Sequence, residues 1–475
     1  MRPYLFPLLS LFFIQAAHAD LPSAVSQILR QSRIPESSVA LVIQPLDTNE
    51  AEVAHASAQV LNPASVMKLL TTLAALDTLG PAHAWKTRVL VEGEVSDGVL
   101  HGDLILQGGG DPSLTQERFW SLLREVQARG IREIHGDVIL DNSLYAIDMP
   151  DPADFDQAPL KTYNANPAAF LVNYNAVALR LAPQATGLTA RLDPPGLPLE
   201  ASAELDRQAS CDDWQDSLEV KREGDVLRVS GRYPVACGER SLWLNLTCPA
   251  ATAASAFKSL WQELGGIHTG QMRVGLTPTT ARLWLEHESI PLSLIVRDIN
   301  KFSNNVMAKM LFLNLGAARY GAPATWEKGQ AAVIAWLADK GMHFPELVVE
   351  NGSGLSRMER IAPASLASLL AWAARQPLYY DFAASLPTLG QDGTQKRRLN
   401  GTPLAGRAWL KTGSLNGIRN QAGYLVDAAG RRKLLVLFIN HANTAQVTQA
   451  QRAILAWALS SSNLEETPKP GLVAR

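Results

Sequence analysis

The 475-residue chain sets 43 Lys and Arg against 45 Asp and Glu, a formal net charge of −2 that gives no basic footprint and excludes a charge-built nucleic-acid surface. Its length exceeds what one hydrophobic core usually serves, so two or three domains are expected. It begins Met1-Arg2, runs apolar from Tyr4 to Ala17, and reaches Ala17-His18-Ala19 before Asp20. That is the pattern of a signal peptide over residues 1–19, cleaved after Ala19, and it predicts export to an oxidising compartment. The apolar run of about 14 residues falls short of the roughly 20 that cross a bilayer, and no later segment is long and apolar enough to span.

Residues 37–46 read as a buried strand, and residues 66–79, after Asn62-Pro63-Ala64, as a helix. At the head of that helix stands Ser65-Val66-Met67-Lys68, whose spacing puts a hydroxyl and an amine on one face of the first turn. A serine hydroxyl becomes a good nucleophile when a base takes its proton, and a lysine serves as that base where burial or nearby positive charge depresses its pKa. The helix N-terminus favours the developing alkoxide. Alone, Ser-x-x-Lys arises about once by chance in a chain of this length, so its company decides.

Residues 87–249 change character: short alternating runs are punctuated by Gly, Asp and Pro, which predicts a β-rich insert. Gly108-Gly109-Gly110 lacks the Gly-Lys-Ser/Thr of a phosphate loop and reads as a tight turn. All three cysteines, Cys211, Cys237 and Cys248, fall here, so one pair and one free thiol are expected. A hairpin-like stretch at 218–229 between Cys211 and Cys237 favours joining those two, with Cys237 to Cys248 as the alternative. No C-x-x-C, H-E-x-x-H or G-x-S-x-G occurs, which argues against thiolate zinc, a zinc peptidase and an α/β-hydrolase.

Helical patterns return at 254–264, 292–319, 325–340 and 364–375, followed by strand-like runs at 407–411, 423–426 and 433–440 and a last amphipathic helix at 445–459. Residues 20–86 and 250–460 are thus expected to form one discontinuous α/β domain, leaving 461–475 as a polar tail. Lys411-Thr412-Gly413-Ser414 closes the first run, where an edge strand carrying a cation and a hydroxyl can hold a carboxylate while Gly413 lets substrate backbone approach. Ser-x-Asn occurs three times, at Ser303, Ser414 and Ser461; only Ser303-Asn304-Asn305 lies between the other two motifs, in a segment that can connect helices.

The order Ser-x-x-Lys, Ser-x-Asn, Lys-Thr-Gly resembles that of penicillin-binding proteins and serine β-lactamases. About 238 residues separate Ser65 from Ser303, which is similar to the S13 peptidases, the D-alanyl-D-alanine carboxypeptidase/endopeptidase branch with extra domains between the first two motifs. Gly108 to Leu114, Asn173-Tyr174-Asn175, Asn351 to Arg357 and Asp392-Gly393-Thr394 match as well, although Glu350 stands where relatives often carry Asp. The resemblance implies an α/β (α+β) fold of the serine β-lactamase/D,D-peptidase type, an antiparallel sheet with helices, carrying inserted β-rich domains. It implies Ser65 as the acylated nucleophile, Lys68 as base and Ser303 as proton relay, with Asn305 holding the substrate amide. Lys411 and Thr412 would bind the terminal carboxylate, backbone N–H groups of Ser65 and Ser414 would form the oxyanion hole, and Arg357 would contact the stem peptide. The implied partners are peptidoglycan stem peptides and β-lactams, in the periplasm, with no metal or organic cofactor; peripheral membrane association and homo-oligomer formation stay open. A β-lactamase or esterase on the same scaffold, or an idle wall-binding protein, are the alternatives.

Overall fold

Leu434-Leu435-Val436-Leu437-Phe438-Ile439 is apolar at every position, a run that suits a strand covered on both faces. In the computed structural model, which describes residues 21–460, it lies in strand Arg432–Asn440 at the centre of a five-stranded sheet. The antiparallel order is Ala408–Leu415, Ile418–Val426, Arg432–Asn440, Val39–Pro45, Val53–His55. Successive side chains point to opposite faces, so Leu434, Val436 and Phe438 join a core with helices Lys68–Leu79, Leu292–Phe302, Asn305–Tyr320, Trp326–Asp339 and Pro363–Ala373. Leu435, Leu437 and Ile439 meet helices Ser23–Gln31 and Thr444–Ser460 on the other face. The expected signal peptide and the tail beyond 460 lie outside the described residues.

Two expectations about helices change. Residues 292–319 are not continuous: Ser303 has a left-handed backbone (φ 58°), which ends Leu292–Phe302, and the Asn304 side chain accepts from the Met307 N–H at 3.1 Å to start Asn305–Tyr320. Helix Ser23–Gln31 precedes the first strand, and helix Gln116–Ala128 stands inside the β-rich segment. The second buries Phe119, Leu122, Leu123 and Val126, a helical spacing that the Gly and Asp punctuation around it concealed.

Among the described residues the insert holds a seven-stranded sheet and two smaller ones. The boundary expected at residue 250 falls inside this packing unit, because Arg282–Glu288 pairs with Lys86–Ser96 and helix Pro249–Glu263 shares the insert's core through Phe257, Leu260 and Trp261. Cys211 and Cys237 are bonded, and Cys248 is an exposed thiol. The insert docks onto the body through Ala165, Ala168, Ala169 and Leu171, which pack on Val306, Met310 and Leu313 of helix Asn305–Tyr320. Phe155, Asp156, Thr162 and Tyr163 of the insert line a cleft together with residues of the body.

Candidate active site

Ser65 is half-buried in a 3-10 turn, Ala64–Met67, that runs directly into helix Lys68–Leu79. The residue before it, Ala64, takes a left-handed backbone (φ 48°), a conformation that costs about 1–2 kcal/mol without a glycine. Asn62 holds the bend: its Oδ1 accepts the Ala64 N–H at 2.8 Å, its Nδ2 donates to the Ser356 carbonyl at 2.9 Å, and its own carbonyl accepts from Asn420 Nδ2 at 2.9 Å. Two glycines crowd this turn. A Cβ on Gly354 would strike the Ala64 carbonyl, and one on Gly413 would lie 2.6 Å from the Pro63 oxygen and 3.1 Å from the Val66 nitrogen. Gly413 therefore admits the nucleophile's own turn against the edge strand, where the sequence suggested room for substrate backbone.

Lys68 is fully buried, and its Nζ donates to Ser65 Oγ at 3.0 Å, to Asn305 Oδ1 at 2.6 Å and to the Ser353 carbonyl. Burial, then the Lys411 ammonium, hold its pKa well below that of an ordinary lysine; Lys309 adds to the depression and Glu359 opposes it. Lys411 is buried as well, donates to Ser303 Oγ at 2.7 Å and to the Thr412 carbonyl at 2.7 Å, and is brought down to about 7 by desolvation. Two hydroxyls, each bonded to a pKa-depressed lysine, thus face one cleft. Such a pairing can move a proton off Ser65 and another across Ser303 without a histidine.

The cleft encloses about 930 Å³ and is lined by Ser65, Ser303, Asn305, Ser414 and Arg357 together with Phe155 and Tyr163 from the insert. Strand Ala408–Leu415 is at the sheet edge; residues 387–389 bond to it as far as Leu410, and the stretch from Lys411 onward borders Ser65. Thr412 Oγ1 donates to Thr394 Oγ1 at 2.8 Å, and Ser414 is exposed. Arg357 is exposed too, its guanidinium 4.6 Å from the centre of the Phe155 ring. Of the residues expected from the sequence, Ser65, Ser303, Asn305, Ser414 and Arg357 line this cleft, Lys68 and Lys411 bond to Ser65 and Ser303, and Thr412 and Gly413 lie on the strand between Lys411 and Ser414. Sequence reasoning missed Asn62, Glu359 and Tyr163, whose carbonyl accepts from Asn305 Nδ2 at 3.1 Å; none of the three belongs to a motif with a known spacing. Among the described residues no group of three or more His, Cys, Asp or Glu could hold a metal ion.

The sequence model of the D-Ala-D-Ala carboxypeptidase 3 (S13) family matches residues 21–460. The chain belongs to this family. D-alanyl-D-alanine carboxypeptidase DacB of Haemophilus influenzae is 28% identical to this S13 peptidase over 435 residues, covering 89% of this chain and 90% of the relative. The D-alanyl-D-alanine carboxypeptidase of Actinomadura sp. (strain R39) is 28% identical over 478 residues, covering 96% and 87%. A crystal structure of penicillin binding protein 4 (dacB) from Haemophilus influenzae, complexed with a β-lactam, superposes with a TM-score of 0.73 at 25% identity, covering 92% of this S13 peptidase and 99% of that chain. The fold is accordingly that of the D,D-peptidases, and the chain is a serine-type peptidase by family.

Proposed function

We propose that this S13 carboxypeptidase releases the terminal D-Ala of peptidoglycan stem peptides through an acyl-enzyme on Ser65. The observation that carries the reading is the pair of bonds, Lys68 Nζ to Ser65 Oγ at 3.0 Å and Lys411 Nζ to Ser303 Oγ at 2.7 Å, whose two hydroxyls line one cleft. The neutral Lys68 amine takes the Ser65 proton as Oγ attacks the penultimate D-Ala carbonyl. The oxyanion is received by the N–H groups of Ser65 and Ser414, a contribution of about 3 kcal/mol per donor in related sites. Ser303 passes the proton taken by Lys68 on to the leaving amine, the C–N bond breaks, and D-Ala departs; water, losing its proton to the Lys68 amine that is neutral again, then cleaves the ester, and that proton returns to Ser65 Oγ. Lys411 and Thr412 hold the terminal carboxylate, Asn305 the substrate amide, and Arg357 the stem peptide beside Phe155.

A cleft of about 930 Å³ exceeds what a terminal dipeptide fills, which supports hydrolysis of cross-linked stems as a second activity of the same site. The leader at residues 1–19 favours a periplasmic location, and among the described residues no helix is long and apolar enough to cross a membrane. Labelling with a fluorescent penicillin tests the reading. A stable adduct on Ser65, lost in a folded Ser65→Ala variant together with D-Ala release, is expected; rapid turnover would indicate a β-lactamase, and no adduct an idle wall-binding protein.

A further inference from the structure

Glu359 lies outside every motif, yet its side chain is wholly buried and close enough to Lys68 to favour its ammonium. Its Oε1 accepts the N–H groups of Glu350 at 3.1 Å and Asn351 at 3.2 Å. From there the connection runs upward: Asn351 Oδ1 accepts the Ser353 N–H at 3.0 Å and its hydroxyl at 2.6 Å, and the Ser353 carbonyl accepts from Lys68 Nζ. Oε2 is buried with no hydrogen-bond partner. An uncompensated carboxylate oxygen in a protein interior is expensive, and it persists where a nearby positive charge offsets it.

We propose that Glu359 is a positioning residue whose buried carboxylate balances the positive charge formed on Lys68 when Ser65 gives up its proton. The inference rests on the acyl-transfer reading above and deepens it. Proton transfer converts the Lys68 amine to an ammonium in a setting that already holds the Lys411 and Lys309 side chains, both unfavourable to it. On the acidic side stand Glu359 and, beside it, Glu350, whose carboxylate accepts from Ser356 Oγ. Of these groups only Glu359 favours the Lys68 ammonium. The bond formed and the bond broken are unchanged by it: Oγ–H is lost, Nζ–H is gained, and Glu359 acts through charge while its other oxygen holds the loop at 350–353.

Burial raises the Glu359 carboxyl to about 7, against the pull of the two N–H groups and Lys68. The balancing charge is therefore absent in mild acid and present in mild alkali. Glu359→Gln keeps an oxygen for the two N–H groups and removes the charge. Its penicillin acylation rate should match that of the wild type near pH 6 and fall about tenfold below it near pH 8, while Glu359→Asp retains the alkaline rise. A deficit of the same size at every pH, or none at any pH, would mean that Glu359 only holds the loop, and would overturn the proposal. Should Glu359→Gln not fold, infrared titration of the wild type decides. The band of a protonated buried carboxyl should vanish over the pH range in which acylation rises, and a carboxyl band that does not titrate there is the contrary result. Failure of the acyl-transfer reading would look different, since the wild type itself would then carry no adduct on Ser65.

Discussion

Lys411 has two tasks that pull on one charge. In the proposed reaction it draws in a substrate carboxylate as a cation beside Ser303, and as a neighbour of Lys68 it disfavours the ammonium form of that amine. Burial puts its own ordinary value down to about 7, so its charge is full below that pH and fades above it. The sign for Lys68 follows: a neighbouring cation disfavours the ammonium, so removing the cation raises the Lys68 pKa. Lys411→Ala should therefore move the acid limb of the penicillin acylation profile to higher pH and weaken binding. Lys411→Arg keeps the charge but replaces a compact ammonium with a wide planar fork, so acylation should fall more than binding does. Paired pH profiles on folded variants check both; an unmoved acid limb in Lys411→Ala would remove Lys411 from the tuning of Lys68.

At the scale of elements, the site exists because an edge strand, a strained turn and a broken helix converge. Gly413→Ala places a methyl 2.6 Å from the Pro63 oxygen and 3.1 Å from the Val66 nitrogen, both backbone atoms that cannot swing aside. Strand Ala408–Leu415 must retreat from the Ser65 turn, at a stability loss of about 1–3 kcal/mol and a tenfold or greater drop in acylation. Wild-type kcat/KM in that variant would show that the close approach is dispensable. Ser303→Gly tests the helix break from the other side: glycine relieves the left-handed backbone, so the melting temperature should hold or rise while acylation falls with the lost hydroxyl. Ser65, Lys68, Ser303 and Lys411 were legible because their motifs are local and ordered. The break at Ser303 was less so: no Gly or Pro marks it, and only the polar Ser303-Asn304-Asn305 signals that two helices meet inside an otherwise helical pattern. Contacts such as Lys68 to Asn305, spanning 237 residues, or Arg357 to Phe155 have no local signature at all, and Glu359 reads as one acidic residue among many.

Across the whole molecule, the insert and the body meet at helix Asn305–Tyr320, and the buried Lys309 lies on that contact with its Nζ 3.3 Å from the Ala165 carbonyl. Desolvation brings its ammonium down to about 8 from an ordinary 10.5. Below pH 8 the lysine is charged in the folded and unfolded chains alike and the folded state carries the full penalty. Between 8 and 10.5 the unfolded chain binds a proton that the folded one lacks, so stability rises with pH, and above that range the penalty is gone. Lys309→Met keeps an unbranched stem without the charge. Relief of the shift is on the order of 3 kcal/mol, and loss of the bond to Ala165 takes back about 1, leaving a gain of roughly 2 kcal/mol at pH 7. That gain should shrink as pH climbs and turn into a loss of about 1 kcal/mol above about 10.5, where only the missing bond to Ala165 counts. Lys309 also disfavours the Lys68 ammonium, so the more stable variant should acylate with its acid limb at higher pH. Urea unfolding at pH 7 and 9, beside acylation profiles, reads both effects. A variant equally stabilised at the two pH values would mean that packing, and not the buried charge, sets the stability of this contact.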